Sequence, residues 1–391
     1  MISSGPGRFF TDQVMDAMFK ELFRRFPSYT VPSHGPLNSG LAIAVVGCGY
    51  WGAKHVRVLS SIPDVSEITV VEPDKRARNS IASSFPNVDV VADLQSVLPH
   101  VHGVVVATPP CSHAEVAIEA LRAGKHVLVE KPVATSLNQA RMLVEEATRS
   151  DSILMVGHTF EFNPVVQELR DRMDKGELGD IKYIHSARLN LGLYRTDVNV
   201  VWDLAPHDIS IMNYLLHSTP TSVKAWGSSC ISTDVVDLAH FQLDYGNRGV
   251  IGYGHVSWLD PRKVRQVTVV GSRKMAIYDD IAEEKLRIYD RGVNGGDERH
   301  TDGAKLHEMP ITYRNGDIVS PQIHFQEPLM LEDQHFVDCI LSRTKLLSDG
   351  NSGAAVVAVL EAIDRAMREN KPVAIDPHIG TSELLPGLLK N

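Results

Sequence analysis

Residues 44–59 read AVVGCGYWGAKHVRVL. An apolar run leads into Gly47, Gly49 and Gly52, spaced G-x-G-x-x-G, and then into a segment of helical period. Glycines at this spacing permit a tight turn, close approach of backbone to a pyrophosphate, and close packing of helix on strand. The helix that follows offers its first N–H groups and its positive dipole end. Such a triplet alone is weak evidence, but Glu72 closes the next apolar run 20 residues beyond Gly52. That is where a dinucleotide fingerprint places the acid that accepts ribose hydroxyls. A carboxylate there repels the extra phosphate of NADP, so NAD is expected, while Lys75 and Arg76 keep NADP open. Tyr50 and Trp51, inside the turn, are candidate cofactor contacts beside Gly47, Gly49, Gly52 and Glu72.

Outward from this stretch, LAIAVV, EITVVE, VDVV, GVVVATP, HVLVE and SILMVG are six candidate strands separated by amphipathic segments such as HAEVAIEALRAG. Apolar strands alternating with helices predict a parallel sheet covered on both faces, hence a doubly wound α/β domain over residues 41–158. Beyond it the texture changes. IKYIHSARLNLG, SVKAWGSSC, LAHFQLDYG, GVIGYGHVSW, RQVTVVG and KMAIYDD alternate apolar and polar positions. They predict an α+β domain over 159–391 with a large, open, mostly antiparallel sheet, one face packed and one available. QHFVDCILSRT and GAAVVAVLEAIDRAMREN read as closing helices, and His300 and His307 fall in a polar loop as solvated residues. Residues 1–40 read as an extension and linker. Within them TDQVMDAMFKELFRRF has helical spacing, with Thr11 as N-cap, and suits docking on its own domain or on a neighbouring subunit.

At 391 residues the chain exceeds the size of a single core, so two domains are expected. A formal charge of −9 and no Lys/Arg run exclude nucleic acid as the main partner. Cys48, Cys111, Cys230 and Cys339 lie far apart without a C-x-x-C pair, which disfavours a metal site or a disulfide framework and fits a reducing cytoplasm. No apolar run approaches the roughly 18 residues of a membrane span, and MISSGPGRFF lacks the features of a secretory signal.

Two further motifs carry chemistry. Thr108 and Pro109 follow one buried strand, and Glu130, Lys131 and Pro132 follow the next. Both groups therefore sit at the carboxyl edge of the sheet, where open α/β folds bind ligands. His113 either caps its helix or lies near the cofactor. The second motif is VWDLAPHD, residues 201–208. The following ISIMNYLL places Ile209, Met212 and Leu216 on one helical face, so a helix is expected to begin near Pro206. If helical geometry already holds at Asp203, it shares a face with His207; if not, the two can still meet across an irregular turn. Alone, Asp203 would read as a helix cap and His207 as a core or surface histidine. Near a nicotinamide they acquire a role. Removing a hydride from a carbinol carbon requires removal of the hydroxyl proton, and histidine starts with a suitable pKa. Lys131 would stabilise the developing alkoxide, and Asp203 would orient the imidazole or contact substrate. Asp208 reads as structural. His158 and Asn163 near the domain junction, with Arg188, Asn190 and Tyr194 beyond it, are substrate-side candidates.

GCGYWG, ATPPCSHAEVA, AGKHVLVEKP, GHTFEFNP and WDLAPHD occur in that order, and in this the chain resembles the Gfo/Idh/MocA oxidoreductases, the glucose-fructose oxidoreductase and inositol dehydrogenase group. The resemblance runs from about Leu41 to about Pro372. It implies an NAD(P)-binding Rossmann domain followed by a domain whose open sheet makes oligomer contacts, in a homodimer or homotetramer. It further implies oxidation of a secondary alcohol of a sugar, nucleotide sugar or cyclitol, or the reverse reduction, with the family's lysine at Lys131 and its Asp and His at Asp203 and His207. GHTFEFNP and the segment before WDLAPHD are most similar to members acting on nucleotide-linked sugars, UDP-N-acetylglucosamine 3-dehydrogenases among them, which act at the C3 hydroxyl. A cyclitol dehydrogenase or ketosugar reductase is the near alternative. A non-catalytic NAD-binding sensor is the alternative of another class.

Overall fold

β1 (Leu41–Val46) is buried along its whole length, as its unbroken apolar run requires of a strand covered on both faces. The computed structural model describes residues 40–376 apart from 193, 196–197, 247–248, 295–311 and 343–345. The helix expected over 11–26, and His300 and His307, lie outside the described residues. β1 turns through the glycines into α1 (Tyr50–Leu59) and continues through β2 (Val65–Val71), α2 (Lys75–Ser84), β3 (Asp89–Val91), β4 (Gly103–Val106), α3 (Pro110–Arg122), β5 (His126–Glu130), α4 (Leu137–Arg149) and β6 (Leu154–Gly157). The strands form a parallel sheet in the order β3-β2-β1-β4-β5-β6, the doubly wound arrangement whose chain reverses between β1 and β4. All six strands expected from the sequence are present.

The register of this sheet positions the site. Val46 pairs with Val71 and Val106, Val106 with Val129, and Val129 with Val156. One row of valines therefore crosses the sheet. The residues one or two beyond it, Gly47, Glu72, Thr108, Lys131 and His158, emerge together at the carboxyl edge.

A 3-10 turn (Thr159–Phe162) and α5 (Pro164–Asp174) lead to the second sheet: β7 (Ile181–Leu189), β8 (Ser222–Ser228), β9 (Leu238–Asp244), β10 (Ile251–Ser257), β11 (Val264–Gly271), β12 (Met275–Asp279), β13 (Leu286–Asn294), β14 (Thr312–Val319) and, at the end, β15 (Val373–Ala374). Their order is β14-β13-β12-β11-β7-β10-β9-β8-β15. Of these pairings β7 with β10 is parallel and the others are antiparallel. β13, β14 and β15 were not among the expected strands. One face packs on α6 (Val200–Leu216), burying Ile184, Phe241, Val256 and Val267 against Ile209 and Met212. The other face bears Tyr183, Trp226 and Tyr253, all exposed. On that face Trp226 stacks on His240 at 4.6 Å and His240 on His255 at 3.9 Å.

The chain then returns to the first sheet. Leu329, Phe336, Val337 and Ile340 of α7 (Pro328–Ser342) join the core that contains Leu41, Ile43 and Val45, and Ser348 accepts the N–H of Val156 at 2.8 Å. α8 (Gly350–Glu369) buries Val356, Val359 and Ile363 in the core of the second sheet. The two closing helices thus return one to each core.

Candidate active site

Two glycines of the turn have a steric reason. Gly47 adopts φ +82°, and a Cβ on Gly52 would lie 2.0 Å from the Gly47 carbonyl oxygen. A side chain on Gly49 would project into open space, the side from which a pyrophosphate approaches. α1 starts without a side-chain cap among the described residues, so its first N–H groups suit an anion. Glu72 reaches back at the end of β2 to accept the N–H groups of Cys48 at 3.5 Å and Asp74 at 3.1 Å, which sets a carboxylate beside the turn. Tyr50 and Trp51 are both exposed at the helix start, edge to face at 5.4 Å. Thr108 packs against Gly47 and accepts the Ser112 hydroxyl at 2.8 Å, and Pro109 opens α3. These residues fit a dinucleotide at the β1/β4 reversal.

His113 does not cap its helix. Its ring is buried, with Nδ1 2.8 Å from the Pro132 carbonyl and Nε2 2.8 Å from that of Thr108, so it ties two edge loops together. Glu130 is buried and meets His55 and the Lys131 N–H.

α6 begins earlier than expected. Asn199 caps it by accepting the N–H groups of Val201 and Trp202, and Val200 is the first helical residue, so Pro206 lies inside. Asp364 of α8 anchors that start, accepting from Asn199 Nδ2 at 2.9 Å and Trp202 Nε1 at 2.7 Å. Asp203 and His207 therefore sit one turn apart on one helix. The Asp203 carboxylate does not hold the imidazole, however. It accepts the Trp258 indole N–H at 3.0 Å and lies 3.6 Å from Arg195. Lys131 Nζ donates to the backbone carbonyl of Asp203 at 3.0 Å.

Two adjoining cavities share Arg195 and Asp203. One of about 300 Å³ is lined also by Asn190, Gly192 and Trp258; the smaller reaches Lys131, Thr135, Trp202 and Pro110. Tyr194 packs edge-on against Trp258 at 5.3 Å. His207 stands one turn further along α6, its ring edge-to-face with Phe160 at 5.0 Å and its Nδ1 buried without a hydrogen-bond partner among the described residues. Burial, then the charges of Lys131 and Arg188, push its pKa well below the ordinary imidazole value, so the neutral ring can accept a proton. Burial and the neighbouring arginines also lower the Lys131 ammonium, against the opposing pull of Asp203 and Glu130. His158 is buried with both ring nitrogens unpartnered among the described residues, and burial lowers its pKa to about 4.

Two substrate candidates are already engaged. Arg188 is buried, its guanidinium bound to both oxygens of Asp208 at 2.9–3.2 Å and set 4.7 Å over Phe160. Asn163 caps α5 through Oδ1 and donates from Nδ2 to the Tyr278 hydroxyl at 3.0 Å, so its amide is spent on structure. Asn190 lines the larger cavity, and Tyr194 packs on Trp258 of its wall. Arg195, Trp202 and Trp258 were not singled out from the sequence. Trp202 lies inside VWDLAPHD and Arg195 shortly before it, whereas Trp258 follows β10 with no local signal.

A parallel doubly wound sheet, a glycine turn at its reversal and a cleft of ionisable groups at the same edge define an NAD-binding oxidoreductase. The chain belongs to the Gfo/Idh/MocA family: the model described as oxidoreductase family, NAD-binding Rossmann fold, matches residues 41–158, and that of the GFO/IDH/MocA C-terminal domain matches 166–277. Among its relatives, UDP-N-acetylglucosamine 3-dehydrogenase of Acidithiobacillus ferrooxidans is 25% identical over 318 residues, covering 80% of this chain and 93% of that one. The NAD(+)-dependent scyllo-inositol 2-dehydrogenase of Bacillus subtilis is 25% identical over 354 residues, covering 85% and 96%. The solved structure of GenD2 from gentamicin A biosynthesis, in complex with NAD, superimposes with a TM-score of 0.72 at 25% identity, covering 89% of this chain and all of that one.

Proposed function

We propose that this protein is an NAD-dependent dehydrogenase acting on a ring secondary alcohol of a sugar or nucleotide sugar, with a UDP-N-acetylglucosamine-like substrate oxidised at C3. The observation that carries the reading is the convergence of Lys131, Asp203 and Arg195 on one cleft at the carboxyl edge of the dinucleotide-binding sheet, with a neutral His207 one turn away.

NAD, when bound, supplies the hydride acceptor. Gly47, Gly49, Gly52 and the start of α1 hold its pyrophosphate, and Glu72 holds its ribose. His207 removes the hydroxyl proton from the substrate. The Lys131 ammonium, fixed on the Asp203 carbonyl, lies where negative charge develops on that oxygen and stabilises it. Asp203, braced by Trp258, orients a substrate hydroxyl, and Arg195 offers a planar charged donor to an anionic part of the substrate. Asn190 and Tyr194 border the sugar.

No described helix is long and apolar enough to cross a membrane. A cytoplasmic homo-oligomer is the state we assign; the oligomer is supported by the exposed Trp226, stacked on half-buried His240 and His255 on the open face of the second sheet.

Incubation with NAD and a panel of free sugars, UDP-sugars and inositols, followed by NADH absorbance, tests the assignment. Turnover highest with a UDP-linked sugar is expected. Turnover only with inositols would establish the cyclitol reading. NADH binding without turnover of any ring alcohol would leave a non-catalytic nucleotide sensor.

A further inference from the structure

We propose that His55 is a positioning residue for Lys131: clasped as an imidazolium between Glu130 and Asp333, it fixes the carboxylate that receives the lysine's own backbone N–H, and so ties the catalytic ammonium to the helix that carries the cofactor turn. The proposal rests on the assignment of Lys131 above.

The geometry forms one chain of contacts through the interior. His55 lies on α1, fully buried; its Nδ1 is 2.8 Å from Asp333 Oδ1 on α7, and its Nε2 is 3.3 Å from Glu130 Oε1 at the end of β5. The other oxygen of Glu130 accepts the N–H of Lys131 at 3.0 Å. Glu130 is therefore held from both sides, and the backbone on which Lys131 stands is held with it. Three elements distant in sequence meet at this point, and α7 comes from the far end of the chain.

A neutral imidazole carries one N–H. Satisfying a carboxylate at each ring nitrogen requires the second proton. Burial opposes that charge, but the Asp333 and Glu130 carboxylates outweigh it and raise His55 well above the usual imidazole range. In turn, burial would raise Glu130, yet His55 and then Lys131 hold it below the usual carboxylate range. Glu332 completes the group of titratable residues facing this ring. Burial and the charges of Glu130 and Asp333 push its pKa well up, and its Oε2 accepts the Thr159 hydroxyl at 2.8 Å. Burial raises the Asp333 carboxyl, with His55 drawing it back down. The ring thus stands between two carboxyl groups, with Lys131 beyond the nearer one. Lys131 itself faces Glu130, Asp203, Arg188 and Arg195. Glu130 is one of two carboxylates that sustain its ammonium form.

An ordinary buried brace between α1 and α7 would contribute stability and nothing else. A positioning role makes a different prediction, because freeing Glu130 withdraws a fixed negative charge from Lys131. His55→Gln keeps donors on one side only, and Asp333→Asn leaves the histidine in place without its outer carboxylate. In the full-length protein, reductively methylated with a carbon-13 label, the Lys131 signal is assigned by its loss in Lys131→Arg. Its titration is expected to move toward lower pH by about one unit in both variants. The alkaline fall of kcat should move with it, and kcat at neutral pH should drop between about ten- and a hundredfold, with NADH affinity little changed. Nitrogen-15 imidazole shifts of the unaltered protein must report a doubly protonated His55 at pH 8. A singly protonated ring, or a Lys131 titration and kcat profile that stay put in folded variants, overturns the proposal. The lysine titration and the imidazole shifts need no turnover, so failure of the substrate assignment is read separately.

Discussion

The ammonium of Lys131 donates to the backbone carbonyl of Asp203 at 3.0 Å. This bond joins the carboxyl edge of the first sheet to the first turn of α6, so it links the two motifs with ionisable side chains directly. Lys131→Ala removes both the charge and the tie. Its kcat is expected to fall by about 10²–10³-fold, while the dissociation constant for NADH, followed by fluorescence quenching, changes little. Comparable losses in NADH affinity and in kcat would mean that the lysine serves the cofactor rather than the reaction.

The pH profile of oxidation follows from the directions of two shifts. His207 is displaced below its ordinary value by burial and by nearby cations, and it accepts a proton only when neutral. Activity is therefore retained above its pKa and lost as pH falls through it, which places the acid limb below about 6.5. Lys131 acts as the cation, and its lowered pKa puts the alkaline limb below about 10.5. His207→Ala should lose the acid limb and about 10²–10⁴ in rate. An acid limb that survives the substitution at the same pH assigns the base to another group.

The centre of the first sheet was legible because β1 and β4 are buried on both faces and appear as apolar runs, LAIAVV and GVVV. Lys131, Asp203 and His207 were legible from ordered motifs. What was hidden depended on contacts between distant segments. The start of α6 is set by Asn199 and by Asp364, 165 residues away, whereas Pro206, the conspicuous local signal, lies inside the helix. Arg188 and Asn163 read as substrate-side candidates; the structure seats Arg188 on Asp208 and gives the Asn163 amide to Tyr278. β13 and β14, with LRIYDRGVN and TYRNGDIV, carry too many polar residues to stand out as strands.

Cofactor choice is testable at two positions. An alanine at Gly52 would place its Cβ 2.0 Å from the Gly47 carbonyl oxygen, so the turn must open. NADH affinity is expected to fall by at least about tenfold with the far domain intact by circular dichroism. Glu72→Ser removes the carboxylate beside the ribose site and should raise the ratio of kcat/KM for NADP over NAD by about tenfold, since the repulsion of a 2′-phosphate is lost. An unchanged ratio would place the selectivity elsewhere, with Lys75 and Arg76 the next positions to vary.

The Arg188–Asp208 pair separates support from substrate contact. Both side chains are buried, and the guanidinium is sandwiched between Phe160 and a carboxylate that meets it through two nitrogens. Asp208→Asn leaves a buried cation without its counter-charge, a loss of about 3–5 kcal/mol visible as a lowered denaturation midpoint. Replacing both partners with apolar residues of similar volume, Arg188→Met with Asp208→Leu, removes the uncompensated charge and should recover most of that stability. The paired variant also removes two charges from the neighbourhood of His207, whose pKa Arg188 helps to depress; the acid limb of the rate profile should consequently move to higher pH. If Arg188 only supports the floor of the site, KM for the sugar stays within about threefold of the parent, in the manner of residues whose loss spares substrate binding. A large rise in KM in the stably folded pair would instead show the guanidinium reaching substrate, and would require the ion pair seen here to open when substrate binds.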